Sequence, residues 1–300
     1  MHRRRNPGGQ KLANRRAVLA RGRSGLTYDL SGKVALVTGA GGERGIGRAI
    51  ATRLAREGAA VAVNDVTDAP RDDWGGLPAV VAEIEGMGCG SLGLAGSISD
   101  AEDVQRMVAT TVEHFGRLDI LINNAGAPAG QDRKPIVELA ESEWSRVHEV
   151  NAKGTFLMCQ AAARHMIERG GGGRIINISS LAGQMGIARY GAYCASKFAI
   201  VGLTQVLALE LGEHAITVNA ICPGLTDTER LSGMAFGLKP EGTTTEAYRQ
   251  ELIGQNEAIT PLGRIAQPQD VARSAAFLAS DEADFLTGQS ISVSGGAWMA

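Results

Sequence analysis

The sequence predicts an α/β fold: a doubly wound parallel sheet of about seven strands with helices on both faces. Three observations predict it. From Lys33 onward, short apolar runs alternate with segments of helical period. The runs are apolar at successive positions, as strands buried on both faces require. The 40 glycines gather at element ends, where short βα and αβ connections need them.

The elements follow in order. KVALVT reads as a buried strand, and GIGRAIATRLAREG as an amphipathic helix with Ile46, Ala49, Ile50 and Leu54 on one side. AAVAVND is a second strand, TDAPRDDWGGLP a loop, and PAVVAEIEGMG a helix. A weak third strand lies near SLGLAG. DAEDVQRMVATTVEHFG is a helix with Asp100 as its cap, and RLDILINNAG carries the fourth strand. Residues 142–169 read as one long helix, separated from strand GRIINIS by Gly170–Gly173. A helix with Tyr193 near its start runs to about Glu213. AITVNAI, QPQDVARSAAFLAS and SISVSGG complete the pattern as strand, helix and strand. Residues 225–262 lack strong periodicity and read as a lid or binding loop. The chain thus divides into an arm, residues 1–26, and one domain, 27–300.

Composition excludes several function classes. Residues 1–25 carry eight basic side chains and no acidic one, so removing these eight from the net charge of −2 leaves −10 on the body. An acidic body argues against nucleic acid as a partner. The arm reads as a disordered, dispensable tail, with an upstream start or an import or nucleic-acid-binding segment as alternatives. No uninterrupted apolar run reaches the ~18 residues of a membrane span. Cys89, Cys159, Cys194 and Cys222 lack ligand-like spacing, which excludes a zinc site and suggests small core residues in a reducing, cytoplasmic setting.

The motifs carry the chemistry. TGAGGERGIG lies between a strand and a helix, where glycines let backbone N–H groups approach a pyrophosphate and the helix N-terminus favours its charge. Asp65 ends the second strand, where a carboxylate accepts both ribose hydroxyls of NAD and repels the 2′-phosphate of NADP. Arg44, inside the glycine loop, leaves NADP open. Asn123, Asn124, Ala125 and Gly126 end the fourth strand, at the edge where ligands bind in open sheets. Tyr193 and Lys197 sit one helical turn apart, and Ser180 lies thirteen residues upstream, at the end of a strand. A phenol beside a fixed ammonium is an acid/base near neutral pH. Lowering a tyrosine from a pKa of about 10 by three units needs about 4 kcal/mol. A positive charge about 5 Å away supplies roughly 3 kcal/mol of this.

In this order, those residues resemble the short-chain dehydrogenase/reductase family in its single-domain form. The resemblance runs from about Leu30 to Met299 through the glycine motif, NNAG, VNAKGTF, NISS, YCASK, CPGLTDT and FLTGQSISVSGG. It implies a Rossmann-type sheet in the order 3-2-1-4-5-6-7 and a homotetramer. It also implies Tyr193 as catalytic acid/base, and Lys197 on the nicotinamide ribose, lowering the tyrosine pKa. Ser180, rather than Ser179, would hold the substrate oxygen, and Asn151 a relay water. Gly39, Gly45 and Gly47 would line the phosphates, with Arg44 and Ile46 among them. Asn124, with Ala125 and Gly126, would lie on the cofactor ribose side. Thr228 would meet the carboxamide, approached through Pro223, Gly224 and Thr226. Three positions depart from the family pattern: five residues separate Gly39 from Gly45 instead of three, Ser97 replaces an adenine-contacting Asp, and Ser294 replaces the acid of a VDGG ending.

The expected activity is hydride transfer between nicotinamide, NAD before NADP, and a small alcohol or ketone. An NADPH-linked 3-oxoacyl-thioester reductase is the alternative, with Asp65 as the discriminating residue. A non-catalytic dinucleotide sensor on the same scaffold would have little use for the full Ser180, Tyr193, Lys197 and Asn151 set.

Overall fold

The computed structural model describes residues 27–70 and 74–299. The arm read over residues 1–26 lies outside them. Seven strands form one sheet: β1 Val34–Val37, β2 Ala60–Asp65, β3 Ser91–Ala95, β4 Ile120–Asn123, β5 Gly173–Ile178, β6 Ile216–Pro223 and β7 Ser290–Val293. Their order is β3-β2-β1-β4-β5-β6-β7, and every pairing is parallel. The helices between them are α1 Ile46–Arg56, α2 Gly76–Gly86, α3 Ala101–Phe115, α4 Glu141–His148, α5 Gly154–Arg169, α6 Gly191–Leu211, α7 Glu229–Leu238, α8 Thr245–Ile259 and α9 Pro268–Ala279.

Each central strand feeds two cores. Ala35 and Val37 of β1 join one cluster with Ile50 and Leu54 of α1, Val80 of α2 and Val271 of α9. Leu36, between them, joins the opposite cluster with Met107 of α3, Met158 of α5 and Leu211 of α6. Ile120 and Ile122 of β4 face the first cluster and Leu121 the second. This two-sided burial is why the strands read as continuous apolar runs. Small residues close the gap between α1 and α9: Ala51, Ala55, Ala272, Ala275 and Ala276 are all buried. Such packing needs few large side chains, which suits a chain that is only 4% aromatic.

Local signals explain the element ends. Asp100 caps α3 by accepting from the Glu102 and Asp103 N–H groups. Gly170, Gly171 and Gly172 all take positive φ and end α5.

Two stretches differ from the sequence reading. The helix expected over 142–169 is interrupted by a π-helical turn, Glu149–Lys153, that joins α4 to α5. The stretch 225–262 contains two helices, α7 and α8, rather than an irregular loop. Glycine hides the first of them. A Cβ on Gly233 would lie 2.8 Å from the Ala129 carbonyl oxygen, and one on Gly237 would lie 2.2 Å from that of Gly130. Close packing therefore demands the residues that weaken a helical pattern. In α8 only Arg249 is buried, so little apolar period exists to be read.

By length and composition, Gly191–His214 could cross a membrane, yet 39% of its most apolar window is buried inside the fold. It carries Lys197 at its inner face and contributes Ala208 and Leu211 to the second core.

Asp119 fastens β4 to the centre of the sheet. Its buried carboxylate accepts from the Val34 N–H at 2.9 Å and from Arg117 Nε and Nη2 at 2.7 Å each. Removing it leaves the buried Val34 N–H without its acceptor, while Arg117, 40% exposed, can turn to solvent. Asp119→Ala is expected to destabilise the chain by about 1–3 kcal/mol, read as a lower urea midpoint at unchanged slope. A loss below about 0.5 kcal/mol would show that solvent replaces the carboxylate.

Candidate active site

The strand order reverses between β1 and β4, and the motifs collect at the carboxyl ends of the strands beside this switch point. On the cofactor side, Gly39 has φ +65°, and a Cβ there would lie 2.7 Å from the Ala125 Cα. A Cβ on Gly47 would lie 2.4 Å from the Gly39 carbonyl oxygen. Both positions are closed to any side chain. Asn124 reinforces the turn, donating from Nδ2 to the Thr38 and Gly39 carbonyls at 2.9 and 2.8 Å. What Asn124 visibly does is hold the glycine loop against the end of β4. Ala125 abuts Gly39, and Gly126 abuts the Asn151 side chain.

The residues present fit a dinucleotide phosphate. Gly45 begins α1 without a side-chain cap, and the first turn holds no acidic residue, so its N–H groups face outward with partial positive charge. A carboxylate already occupies part of this cradle: Glu229 accepts the Arg44 N–H at 2.9 Å. Within this longer loop, Gly41 and Gly42 lie against acids. A Cβ on Gly41 would lie 2.8 Å from Asp65 Oδ2, and one on Gly42 would lie 2.8 Å from Glu229 Oε2. Asp65 accepts the Gly41 and Val66 N–H groups at 2.9 and 2.8 Å. Ile46 packs against the core beneath, and the Arg44 side chain is exposed. Ser97 bonds Ser99 and the Asp103 carboxylate, and Ser294 bonds the Trp298 backbone.

On the catalytic side, β5 and the start of α6 bring Ser180, Tyr193 and Lys197 together. Lys197, 5% exposed, donates to the Ile178 carbonyl at 2.8 Å, which holds its ammonium 5.7 Å from the Tyr193 ring centroid. The neighbouring serines divide their work. Ser179 is buried and donates to the Lys197 carbonyl at 3.0 Å, whereas Ser180 Oγ accepts the Ala182 N–H at 3.2 Å. Burial pushes the Tyr193 phenol up. Lys197, Arg230, Ser180 and Arg133 together outweigh burial and bring it below its ordinary value. Burial lowers Lys197, and Tyr193 opposes that.

Asn151 lies within the π turn, fully buried. Its Oδ1 accepts the Ala127 N–H at 2.8 Å, and its Nδ2 donates to Ser196 Oγ at 2.9 Å. It ties the loop after β4 to the tyrosine helix. After β6, Pro223 ends the strand, and Gly224 donates to the Val293 carbonyl at 3.0 Å. Thr226 donates back to the Gly224 carbonyl at 3.0 Å, and Thr228 immediately precedes α7. Cys159, Cys194 and Cys222 are buried, with the Cys159 thiol pushed up to about 12 by burial, as inert core residues would be.

Two arginines beside Tyr193 carry no signal in the sequence. The Arg133 guanidinium lies 4.8 Å from the Tyr193 ring centroid and 4.2 Å from that of Tyr190. Arg230, in the first turn of α7, lies 5.0 Å from the Tyr193 ring centroid. Nothing in their local sequence distinguishes them from solvated surface arginines, and only the path of two loops brings them here.

Relatives share this architecture. Residues 39–297 match the family described as enoyl-(acyl carrier protein) reductase. The chain is 40% identical over 271 residues to a sorbitol dehydrogenase of Cereibacter sphaeroides, covering 90% of this chain and 99% of that protein. It is 39% identical over 267 residues to a 3-oxoacyl-[acyl-carrier-protein] reductase of Staphylococcus aureus, covering 89% and 98%. Among solved structures, levodione reductase superposes with a TM-score of 0.80 at 32% identity, over 89% of this chain and 97% of that one. A short-chain type dehydrogenase/reductase from Mycobacterium marinum does so with a TM-score of 0.76 at 31% identity, over 91% and 97%. With its sheet order, its glycine turn and its Ser180, Tyr193 and Lys197 in one cluster, the chain belongs to the short-chain dehydrogenase/reductase family.

Proposed function

We propose that the protein is an NAD-preferring dehydrogenase acting on an alcohol or ketone, with Tyr193 as its acid/base. The observation that carries this reading is Tyr193 set beside the buried Lys197 ammonium, 5.7 Å from its ring centroid, on the helix that follows Ser180. A bound nicotinamide supplies or accepts the hydride. The chain does the rest. Ser180 positions the substrate oxygen, Tyr193 takes the hydroxyl proton in oxidation or donates it in reduction, and Lys197 stabilises the phenolate. A positive charge about 5 Å from the oxygen in a medium of effective dielectric near 20 favours a phenolate by roughly 3 kcal/mol. Asn151 fixes the loop that carries Ala127 against α6, and so the floor of the site.

The test is a panel of alcohols and ketones followed at 340 nm with each cofactor. Tyr193→Phe removes the proton and keeps the packing, so turnover should fall at least about a thousandfold with cofactor binding retained. Near-normal turnover in this variant would overturn the assignment. Oxidation needs the phenolate, so its rate should rise with pH through the Tyr193 pKa. Lys197→Met should move that rise to higher pH, since the ammonium is what favours the charged form.

Asp65 supports NAD over NADP. Its carboxylate closes the end of β2 beside the glycine loop, where a 2′-phosphate would meet like charge. Repulsion and a lost hydrogen bond cost roughly 2–4 kcal/mol, and the exposed Arg44 returns at most about 1 kcal/mol. Asp65→Ala should therefore narrow the ratio of kcat/KM values for the two cofactors, and Arg44→Ala should hurt NADP use more than NAD use. The second reading, an NADPH-linked 3-oxoacyl-thioester reductase, is favoured by the Staphylococcus aureus relative and by Arg44. A higher wild-type kcat/KM with NADP would put it first.

A homotetramer is part of the same reading. Phe156 and Ile167 of α5 and Phe198, Val206 and Leu209 of α6 are exposed, Leu209 to 86%. A band of large apolar residues along two neighbouring helices suits burial against a second copy. Sedimentation at micromolar concentration should give an oligomer, and a monomer would refute this.

A further inference from the structure

The charges around Tyr193 do not balance. Lys197, Arg133 and Arg230 all lie against its ring, at 5.7, 4.8 and 5.0 Å from the centroid. Among the described residues one carboxylate is paired with them: Asp132 with Arg133, and both side chains are buried. The nearby Asp227 carboxylate is paired with Arg249, and Glu229 faces the glycine loop. Arg133 is 0% exposed, yet its Nε and Nη2 have no hydrogen-bond partner among the described residues. Arg230 makes no ion pair among the described residues. One of its nitrogens bonds the Ala127 carbonyl, which aims the guanidinium across the tyrosine, and the side chain remains partly exposed.

Cations gathered in a desolvated site are costly unless an anion joins them. A tyrosinate answers one of them. An oxidised nicotinamide would add a further positive charge. A neutral alcohol offers nothing to balance what remains, whereas a carboxylate matches a guanidinium in charge and in planar shape.

We propose that the substrate is a hydroxy acid, or the matching oxo acid, whose carboxylate is received by Arg230 close to the reacting carbon. This rests on the dehydrogenase reading above. Arg133 lies behind as a positioning residue: too buried for direct contact, it stacks on Tyr190 and Tyr193 and adds fixed positive charge. In the oxidising direction the carbinol C–H leaves with its electron pair as hydride to NAD. The O–H proton passes to the Tyr193 oxygen, and the C–O bond becomes a carbonyl. The carboxylate is unchanged throughout. Its role is to orient the acid by a bidentate contact available only on one side of the tyrosine.

The experiment uses the full chain with matched pairs: short 2-, 3- and 4-hydroxy acids and the primary amide of each, with neutral alcohols and polyols alongside. For the best skeleton, the acid should exceed its amide at least about tenfold in kcat/KM. Arg230→Gln should lower kcat/KM for the acid about a hundredfold and bring the acid-to-amide ratio to about one or below, with Arg230→Lys recovering part of it. Plain carboxylic acids of the same length, lacking the hydroxyl, should compete against substrate in the wild type and lose that inhibition in Arg230→Gln. An effect on the tyrosine alone would lower acid and amide equally and leave the ratio unchanged, which would overturn the proposal. So would wild-type turnover confined to neutral alcohols or polyols, while leaving the dehydrogenase reading intact. Absence of turnover on every alcohol and acid would sink both.

Discussion

The site depends on how α6 is clasped to the end of β5. Lys197 donates to the Ile178 carbonyl, and Ser179 donates to the Lys197 carbonyl, so strand and helix are bonded in both directions over adjacent residues. Asn177 extends the clasp by donating to Thr204 Oγ at 2.9 Å. A Cβ on Gly183 would lie 2.4 Å from Ser179 Oγ and 2.7 Å from the Lys197 carbonyl oxygen, so only glycine lets the following turn close over the clasp. These buried bonds set helix against strand to within hydrogen-bond tolerance. Ser180 then emerges one residue beyond the clasp, facing Tyr193. The spacing of Ser180 from Tyr193 and Lys197 is thus a by-product of satisfying buried polar groups.

The same clasp explains why a buried lysine survives. An isolated ammonium in that position would shed its proton. Here the Ile178 carbonyl accepts one of its hydrogens, and the tyrosine opposes its loss of charge. Each member of the pair stabilises the charged form of the other, and burial strengthens that exchange by removing solvent screening. The two arginines also lie over the ring, so the tyrosine is among three cations rather than beside one.

What could be read before the structure divides along physical lines. Strands buried on both faces leave a continuous apolar run, which made β1, β2, β4, β5 and β6 legible; β3 and β7, only partly buried, were read from weaker runs and from their place in the strand–helix alternation. Ser180, Tyr193 and Lys197 were legible because their separation is imposed within one strand–turn–helix unit. The π turn at Asn151 was not, since nothing in EVNAK differs from an ordinary helix and the turn is stabilised by its contacts to Ala127 and Ser196. Helix α7 was obscured by Gly233 and Gly237, whose reason is a backbone they touch only after folding. Arg133 and Arg230 were invisible for a related reason. Their meaning comes from Tyr193, which neither is near in sequence.

These unread features turn out to be one feature. The first turn of α7 carries Glu229 to the glycine loop and Arg230 to the tyrosine, in adjacent residues. Gly233 and Gly237, farther along the same helix, press it onto the loop at Ala129 and Gly130, the loop that also bears Arg133. Adjacent helical side chains point about 100° apart, so one turn can face two different neighbours without strain. The glycine-loop side and the tyrosine side of the site therefore share a wall. Its position is set by glycine contacts in the loop after β4, which Asn151 in turn ties to the helix of Tyr193.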